Sequence, residues 1–396
     1  MRICYISYVK YGEGSWVHTS QFIATLKKIH HDVKVYTPLA HQGATTPVAK
    51  RSSNREGSTS PGLMNNFREI RLLAVMFTRR ALGELRLLKA VKPDVVILRQ
   101  ERYLSSILLC RLFNIPIIVE VNGPALENQF LPKDEQLRGK AFWQWLEKKM
   151  LAMPDHIMVV SKTLKQHYVT CGIPCQKITC IPNGVDIHTF NPDITGDRIR
   201  DKLDLKGETI VGFSGTFAPW HGIGFLADAM KRIIESKKYK DVVLLLVGKP
   251  GYAITMPDLP DAVTTITGHI PHEEMPEYLA VIDIFVAPYP EIAPFYFSPL
   301  KIFEAMSMGK PVIASAQGQI CELITDNISG LLYPPGDQSA LIKNIERLIC
   351  DTQFRDDLGQ NARKMIETNF TWKDNANRML NLCKQVVDQK KCKRPC

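Results

Sequence analysis

Short apolar runs separated by helical stretches recur along the whole chain, and no other feature constrains its fold as tightly. In the first half the runs are 3–7, Val33–Tyr36, 95–98, 116–121, 157–161 and 178–182. Between them lie amphipathic stretches at 19–29, Leu63–Val91 and 105–113. Strands joined through helices build βαβ units, and such units build a parallel sheet with helices on its faces. The stretch 40–61 is rich in Ser, Thr and Gly and reads as a loop or insertion.

The alternation then restarts. Pro182-Asn-Gly-Val-Asp186 combines three turn-forming residues and suits a hinge. Beyond it, strands are predicted at Thr209–Ser214, Val242–Val247, 262–267, Ile284–Ala287 and 311–315, with helices at Ile223–Glu235, 275–281 and 299–308. The expected architecture is α/β: two Rossmann-like halves, 1–185 and 186–370, facing each other across a cleft. A helix and basic tail over 371–396 return toward the first half. Ligands of open parallel sheets bind beyond the carboxyl ends of the strands, so two facing halves can hold two substrates.

Charge divides along the same boundary. Residues 1–185 carry 26 Lys and Arg against 13 Asp and Glu, a net of +13; residues 186–396 carry 24 against 27, a net of −3. A basic half points to an anionic partner, although solubility alone also favours net charge. A nucleic-acid groove would interleave aromatics with the basic residues, and no nucleic-acid partner is expected. No apolar stretch approaches the roughly 20 residues of a membrane span, and the opening run is too brief for a secretory signal. Cytoplasmic location with reduced cysteines is the expectation. The cysteine spacings do not form paired CxxC motifs, and no Asp-x-Asp occurs, so no metal and no other cofactor is implied.

The chemistry concentrates in Phe295-Tyr-Phe-Ser-Pro-Leu-Lys-Ile-Phe-Glu304 and its continuation to Pro311. Ser298 is a good N-cap, Pro299 suits the first helical position, and Gly309 followed by Pro311 ends the helix. Lys301 and Glu304 then share one face. A lysine in the first turn opposes the helix dipole unless an anion docks there. Helix amides and one ammonium make a diphosphate site, and Glu304, one turn deeper, can accept from a ribose diol. The alternative is a solvated Lys/Glu pair. Phe295, Tyr296 and Phe297 make the loop unlike an ordinary surface turn.

A second loop, Gly215-Thr-Phe-Ala-Pro-Trp-His-Gly222, links a strand to a helix. Gly215 permits close backbone approach to a ligand. Trp220 and His221 are costly to expose unless they touch something; the alternative is a Trp packed over a helix end. Gly12 and Gly14 suggest a dinucleotide fingerprint, but Val17 stands where its third glycine belongs, and Tyr36-Thr-Pro38 lacks its acidic residue.

Taken in order, these segments resemble the retaining glycosyltransferases of family 4, which have the two-domain GT-B fold. The marks are Val119-Glu-Val-Asn-Gly123, Val159-Val-Ser161, Ile181-Pro-Asn-Gly-Val-Asp186, Val211–Gly222 with its Trp-His-Gly end, Leu246-Val-Gly248, Leu279–Pro288, the 298–315 stretch and Gly330-Leu-Leu-Tyr-Pro-Pro-Gly-Asp337. The resemblance implies an acceptor-binding first half and a nucleotide-sugar-binding second half. It implies that Glu304 holds the donor ribose, and that Ser298, Pro299 and Leu300, beside Phe297, face the phosphates and sugar. It further implies that Ile270 meets the base, that Gly14 and Ser15 approach the diphosphate, and that Asn122 lies near the transferred sugar, where many members have a histidine. The Arg and Lys that the family carries after the first strand of the donor domain are Thr216 and His221 here, and a family glutamate falls on Tyr296. Lys301 and a titratable His221 are the expected replacement cations, and Glu291 is a nearby substitute for the glutamate.

The reaction so implied moves a sugar from a nucleoside diphosphate to an acceptor hydroxyl with retention, in cell-surface polysaccharide or glycolipid assembly. The partners are a nucleotide sugar and a lipid-linked or saccharide acceptor. The basic amphipathic stretch Leu63–Val91 suits an anionic membrane surface, giving a peripheral position on the inner face; the alternative is a core helix with a solvated basic face. The architecture also suits a sugar-nucleotide epimerase, which needs no acceptor, or a non-catalytic binding module.

Overall fold

The computed structural model describes residues 1–10, 14–39, 63–100, 104–124, 140–239, 241–250, 259–260 and 263–392, the side chains of 14, 63–76 and 140–143 aside. The first half alternates β1 (Ile3–Ile6), α1 (Gly14–Ile29), β2 (Val33–Tyr36), α2 (Leu63–Val91), β3 (Val95–Arg99), α3 (Ser105–Leu112) and β4 (Ile117–Val121). It continues with α4 (Lys140–Ala152), β5 (His156–Val159), α5 (Lys162–Thr170) and β6 (Ile178–Cys180). The strands pair in parallel in the order β2-β1-β3-β4-β5-β6. Every residue of β1, β3 and β4 is buried, as expected of strands covered on both faces.

The second half runs α6 (Asp197–Lys202), β7 (Thr209–Ser214), α7 (Ile223–Glu235), β8 (Val242–Val247), β9 (Thr264–Ile266), α8 (Met275–Ala280) and β10 (Ile284–Ala287). Then come α9 (Leu300–Ser307), β11 (Val312–Ser315), α10 (Ile320–Leu323), β12 (Leu331–Tyr333), α11 (Gln338–Cys350), α12 (Thr352–Asn369) and α13 (Trp372–Cys392). Its sheet has the order β12-β11-β10-β7-β8-β9, also parallel. Counted from its own first strand this is 3-2-1-4-5-6 read backwards, with the order reversing between β7 and β10.

The halves are stitched where the chain crosses between them. Val185 N donates to Phe370 O (3.0 Å), Trp372 N to Val185 O (3.2 Å), and Asn375 Nδ2 to Pro182 O (2.7 Å). The last helix, α13, lies on α1, and its Trp372, Met379, Leu382 and Cys383 share one core with Ile3, Tyr5, Phe22 and Leu26.

Three local expectations are corrected. Helix α1 begins at Gly14, not near 19, although glycine is a poor helix former. Ser298 is not the cap of α9. Pro299 takes the extended cap position, because the Ser298 hydroxyl accepts from Asn183 N (3.2 Å) across the two halves. On α2, Arg80 is not part of a solvated basic face: it stacks 3.3 Å from the Tyr8 ring centroid and pairs with buried Glu84 at 3.1 Å.

Candidate active site

The strand order reverses between β7 and β10, and open parallel sheets bind ligands beyond the carboxyl ends of the strands at such a reversal, here beside the loop 215–222 and the segment leading into α9. Gly215 has φ +128°, and a Cβ there would lie 2.7 Å from Lys301 Nζ, so only glycine lets the backbone pass. The Lys301 Nζ is buried, 4.0 Å from the Phe213 ring centroid and 5.8 Å from that of Tyr289, and makes no hydrogen bond to a described residue. Burial pulls its pKa down to about 7 although Glu304 opposes the shift. A buried amine with no acceptor among the described residues, in the first turn of a helix, is unusual, since buried polar groups are normally hydrogen-bonded and an anion is favoured at a helix start.

His221 lies against the same amine. Its Nδ1–H donates to the Thr216 carbonyl oxygen, and its ring faces Phe213 (5.7 Å), Tyr289 (5.8 Å) and Trp220 (6.0 Å). Burial, and then the neighbouring Lys301 charge, lower its pKa to about 3. Without an anion, burial and then Lys301 favour the neutral ring, whereas the expected imidazolium at 221 is that of a ring against a bound diphosphate. Trp220 is partly buried over this ring, and the Thr216 side chain is exposed.

Glu304 is buried one turn into α9, and His272 Nε2 lies 2.9 Å from its Oε1. Burial lowers the His272 pKa, but the Glu304 carboxylate more than offsets this, and the net shift is upward. His272 thus engages one of the two carboxylate oxygens. Ile270, two residues before His272, is partly buried against the second core. Phe297 packs against the cores of both halves, Pro299 is buried, and Leu300 packs against the first half. Ser298 O accepts from Asn183 Nδ2 at 2.7 Å. Tyr296 is buried in the first half's core, and its carbonyl accepts from Ser161 Oγ at 3.0 Å. Position 296 is committed to joining the halves, while Glu291 is exposed.

On the first half's side, Asn122 follows β4 and is partly exposed; its Nδ2 donates to Glu120 Oε1 at 2.8 Å. Adjacent Gly123 leaves 3.3 Å between its Cβ position and the Tyr296 ring, so Asn122 stands where the two halves meet. Gly14 and Ser15 form the first turn of α1, and Ser15 O accepts from Thr19 Oγ1 (3.0 Å). Gly12 lies outside the described residues. Two residues escaped the sequence reading. His272 gave no local signal. Glu120 did: a carboxylate inside the apolar run Ile117–Val121 is too costly to bury without partners.

Two family models match this chain: Glycosyltransferase Family 4 over residues 12–189 and Glycosyl transferases group 1 over residues 208–351. The chain belongs to the family 4 glycosyltransferases. This family 4 glycosyltransferase is 25% identical over 256 residues to the lipopolysaccharide 1,2-N-acetylglucosaminetransferase of Salmonella typhimurium, covering 60% of this chain and 65% of that one. The match thus spans just under two thirds of the Salmonella enzyme's own length. It is 26% identical over 299 residues to the UDP-Gal:alpha-D-GlcNAc-diphosphoundecaprenol alpha-1,3-galactosyltransferase of Escherichia coli, covering 72% and 73%. Among solved structures, sucrose-phosphate synthase from Thermosynechococcus elongatus superposes with TM-score 0.71 at 21% identity, covering 98% of this family 4 chain and all of the other. Anabaena HepE in complex with UDP-glucose superposes with TM-score 0.69 at 16% identity, covering 97% and 100%. The fold of this family 4 glycosyltransferase is GT-B.

Proposed function

We propose that this glycosyltransferase moves a sugar from a nucleoside diphosphate to an acceptor hydroxyl with retention, in the assembly of a cell-surface polysaccharide or glycolipid. The carrying observation is the buried, unpartnered Lys301 Nζ beside Gly215 at the start of α9. Negative charge grows on the departing diphosphate in the transition state, and preorganised amides and an ammonium aimed there lower the barrier. Glu304 takes the ribose diol, Ile270 lies along the base, and Trp220, Thr216, Phe297, Ser298, Pro299 and Leu300 wall the donor. Gly14 and Ser15 approach the phosphates from the other half. Asn122 meets the transferred sugar. The donor oxygen itself takes the acceptor's proton in a front-face displacement, and no divalent metal is needed because the cationic seat is built from the protein.

The Escherichia coli relative is named for UDP-Gal, and Anabaena HepE is solved in complex with UDP-glucose, which supports testing uridine sugars first. A panel of UDP and GDP sugars is scored by thermal shift, since a ligand bound only by the folded state raises Tm. The anomeric configuration of the product is then read by NMR. A donor that raises Tm and yields an α-linked product from an α-linked donor meets the reading. Inversion, or a Tm unmoved by every donor, defeats it.

The acceptor side we assign to an anionic membrane surface. On α2 the side chains of Arg79, Arg86 and Lys89 are exposed, and Leu82, Leu108 and Leu112 are apolar and exposed on α2 and α3, Leu112 by 76%. Apolar side chains ringed by cations favour an acidic interface. No described helix is long and apolar enough to cross a membrane. Flotation with phosphatidylglycerol vesicles but not with phosphatidylcholine vesicles is the expected result.

A further inference from the structure

A fully buried carboxylate, that of Glu120, lies directly behind Asn122 and gathers four side chains. Its Oε1 accepts from Arg99 NH1 (2.9 Å) and Asn122 Nδ2 (2.8 Å), and stands 2.7 Å from His18 Nε2. Its Oε2 accepts from the Tyr5 hydroxyl at 2.7 Å. A carboxylate only accepts, so His18 Nε2 carries the proton. These partners come from β1, α1 and β3, so one carboxylate ties together the elements that converge on the carboxyl edge of the first sheet.

Burial alone would raise the Glu120 pKa, but His18, Arg99 and Asn122 together hold it well below the ordinary value. Arg99, at 2.9 Å, is the charged partner that favours the ionised carboxylate. An amide rotates freely between two nearly isosteric orientations unless a partner chooses one. Here the partner accepts only, so the nitrogen of Asn122 must face Glu120 and the oxygen must face away, on the partly exposed side next to the interdomain contact of Gly123 with Tyr296.

We propose that Glu120 is a positioning residue: its carboxylate pins Asn122 so that the amide oxygen is presented to the cleft as a fixed, non-titrating acceptor for a hydroxyl of the transferred sugar. The inference rests on the reading above that Asn122 meets that sugar. Glu120 touches no substrate and acts only through Asn122.

The test is a double-mutant cycle of Glu120→Gln and Asn122→Ala, with turnover of the UDP sugar that raises Tm most and UDP affinity as readouts. Glu120→Gln is expected to lower kcat roughly ten- to hundredfold while UDP affinity stays within twofold, as misplacement of a reacting partner does. In the Asn122→Ala background the same change is expected to cost nothing further. An equal additional loss in that background overturns the positioning role and leaves the role of Asn122 standing. Normal turnover by Asn122→Ala overturns the reading of Asn122, and this inference with it. Because Glu120→Gln leaves Arg99 buried without its charged partner, a destabilising change, Asn122→Asp supplies a second arm. Its carboxyl can donate to Glu120 only when protonated, so turnover is expected to recover as pH falls, whereas Asn122→Ala gives the wild-type pH profile at a lower level. Parallel profiles for the two variants defeat the proposal.

Discussion

At the scale of the residue, the proposed reaction turns on a single amine. Lys301 is held near pH 7 against an ordinary value of 10.5 by burial among aromatic rings. Between those two values the unfolded chain holds a proton that the folded chain has released, so this residue makes stability rise with pH across that window. A bound diphosphate favours the charged form and reverses the shift. UDP binding at pH 8 is therefore expected to take up a proton, measured by calorimetry in buffers of different ionisation enthalpy, and kcat/KM is expected to fall as pH rises through neutrality. Lys301→Met should abolish the uptake, lower kcat/KM by about 10²–10³ and leave Tm unchanged or higher, since a buried charge without a partner is replaced by an apolar chain. His221→Gln should leave the pH dependence in place, because the imidazole is already neutral. Proton-neutral binding of UDP at pH 8 would contradict the buried-amine account. The Lys301–Glu304 spacing was legible in the sequence; the protonation of both cationic candidates was not, because each is buried against a ring from a distant segment, Lys301 against Phe213 and His221 against Tyr289.

Loops meeting loops decide the element scale. Gly222, which precedes α7, has φ +68°, and a Cβ there would fall 1.8 Å from the Pro288 carbonyl oxygen, in the segment that follows β10. The two walls of the crevice touch at this glycine. Gly222→Ala is expected to cost more than the roughly 1–2 kcal/mol of a left-handed non-glycine residue, because backbone must also move, and to weaken UDP binding with it. Gly207→Ala is the control: it has φ +109° but nothing within 4 Å of its Cβ position, so it should lose some stability without loss of UDP affinity. Equal UDP affinity in the two variants would show that the 222–288 contact does not shape the site. Strand Thr209–Ser214 and helix Ile223–Glu235 were readable end to end from periodicity, since burial on a helix face or a sheet face is a local pattern. The start of α9 was misread by one cap residue because Ser298 has a partner 115 positions away.

At the scale of the whole molecule the last helix belongs to the first half. Trp372 sits 5.2 Å from His18 and 6.3 Å from Phe22, ring centroid to ring centroid. Trp372→Ala is expected to cost about 3–5 kcal/mol, as truncation of a buried aromatic does. Hydrogen exchange should show the loss of protection in α1, not only in α13. Protection in α1 equal to that of the unaltered chain would mean that the helix rides on the sheet without supporting it.

The α/β fold class, the parallel sheet in each half and strands and helices such as Thr209–Ser214 and Ile223–Glu235 were determined by the sequence alone, because apolar spacing and turn residues act over a few positions. The tertiary structure decided which carboxylate stands behind Asn122, which hydroxyl bridges the halves and which cation titrates. Each of those depends on groups brought together from distant parts of the chain, and on water being excluded around them.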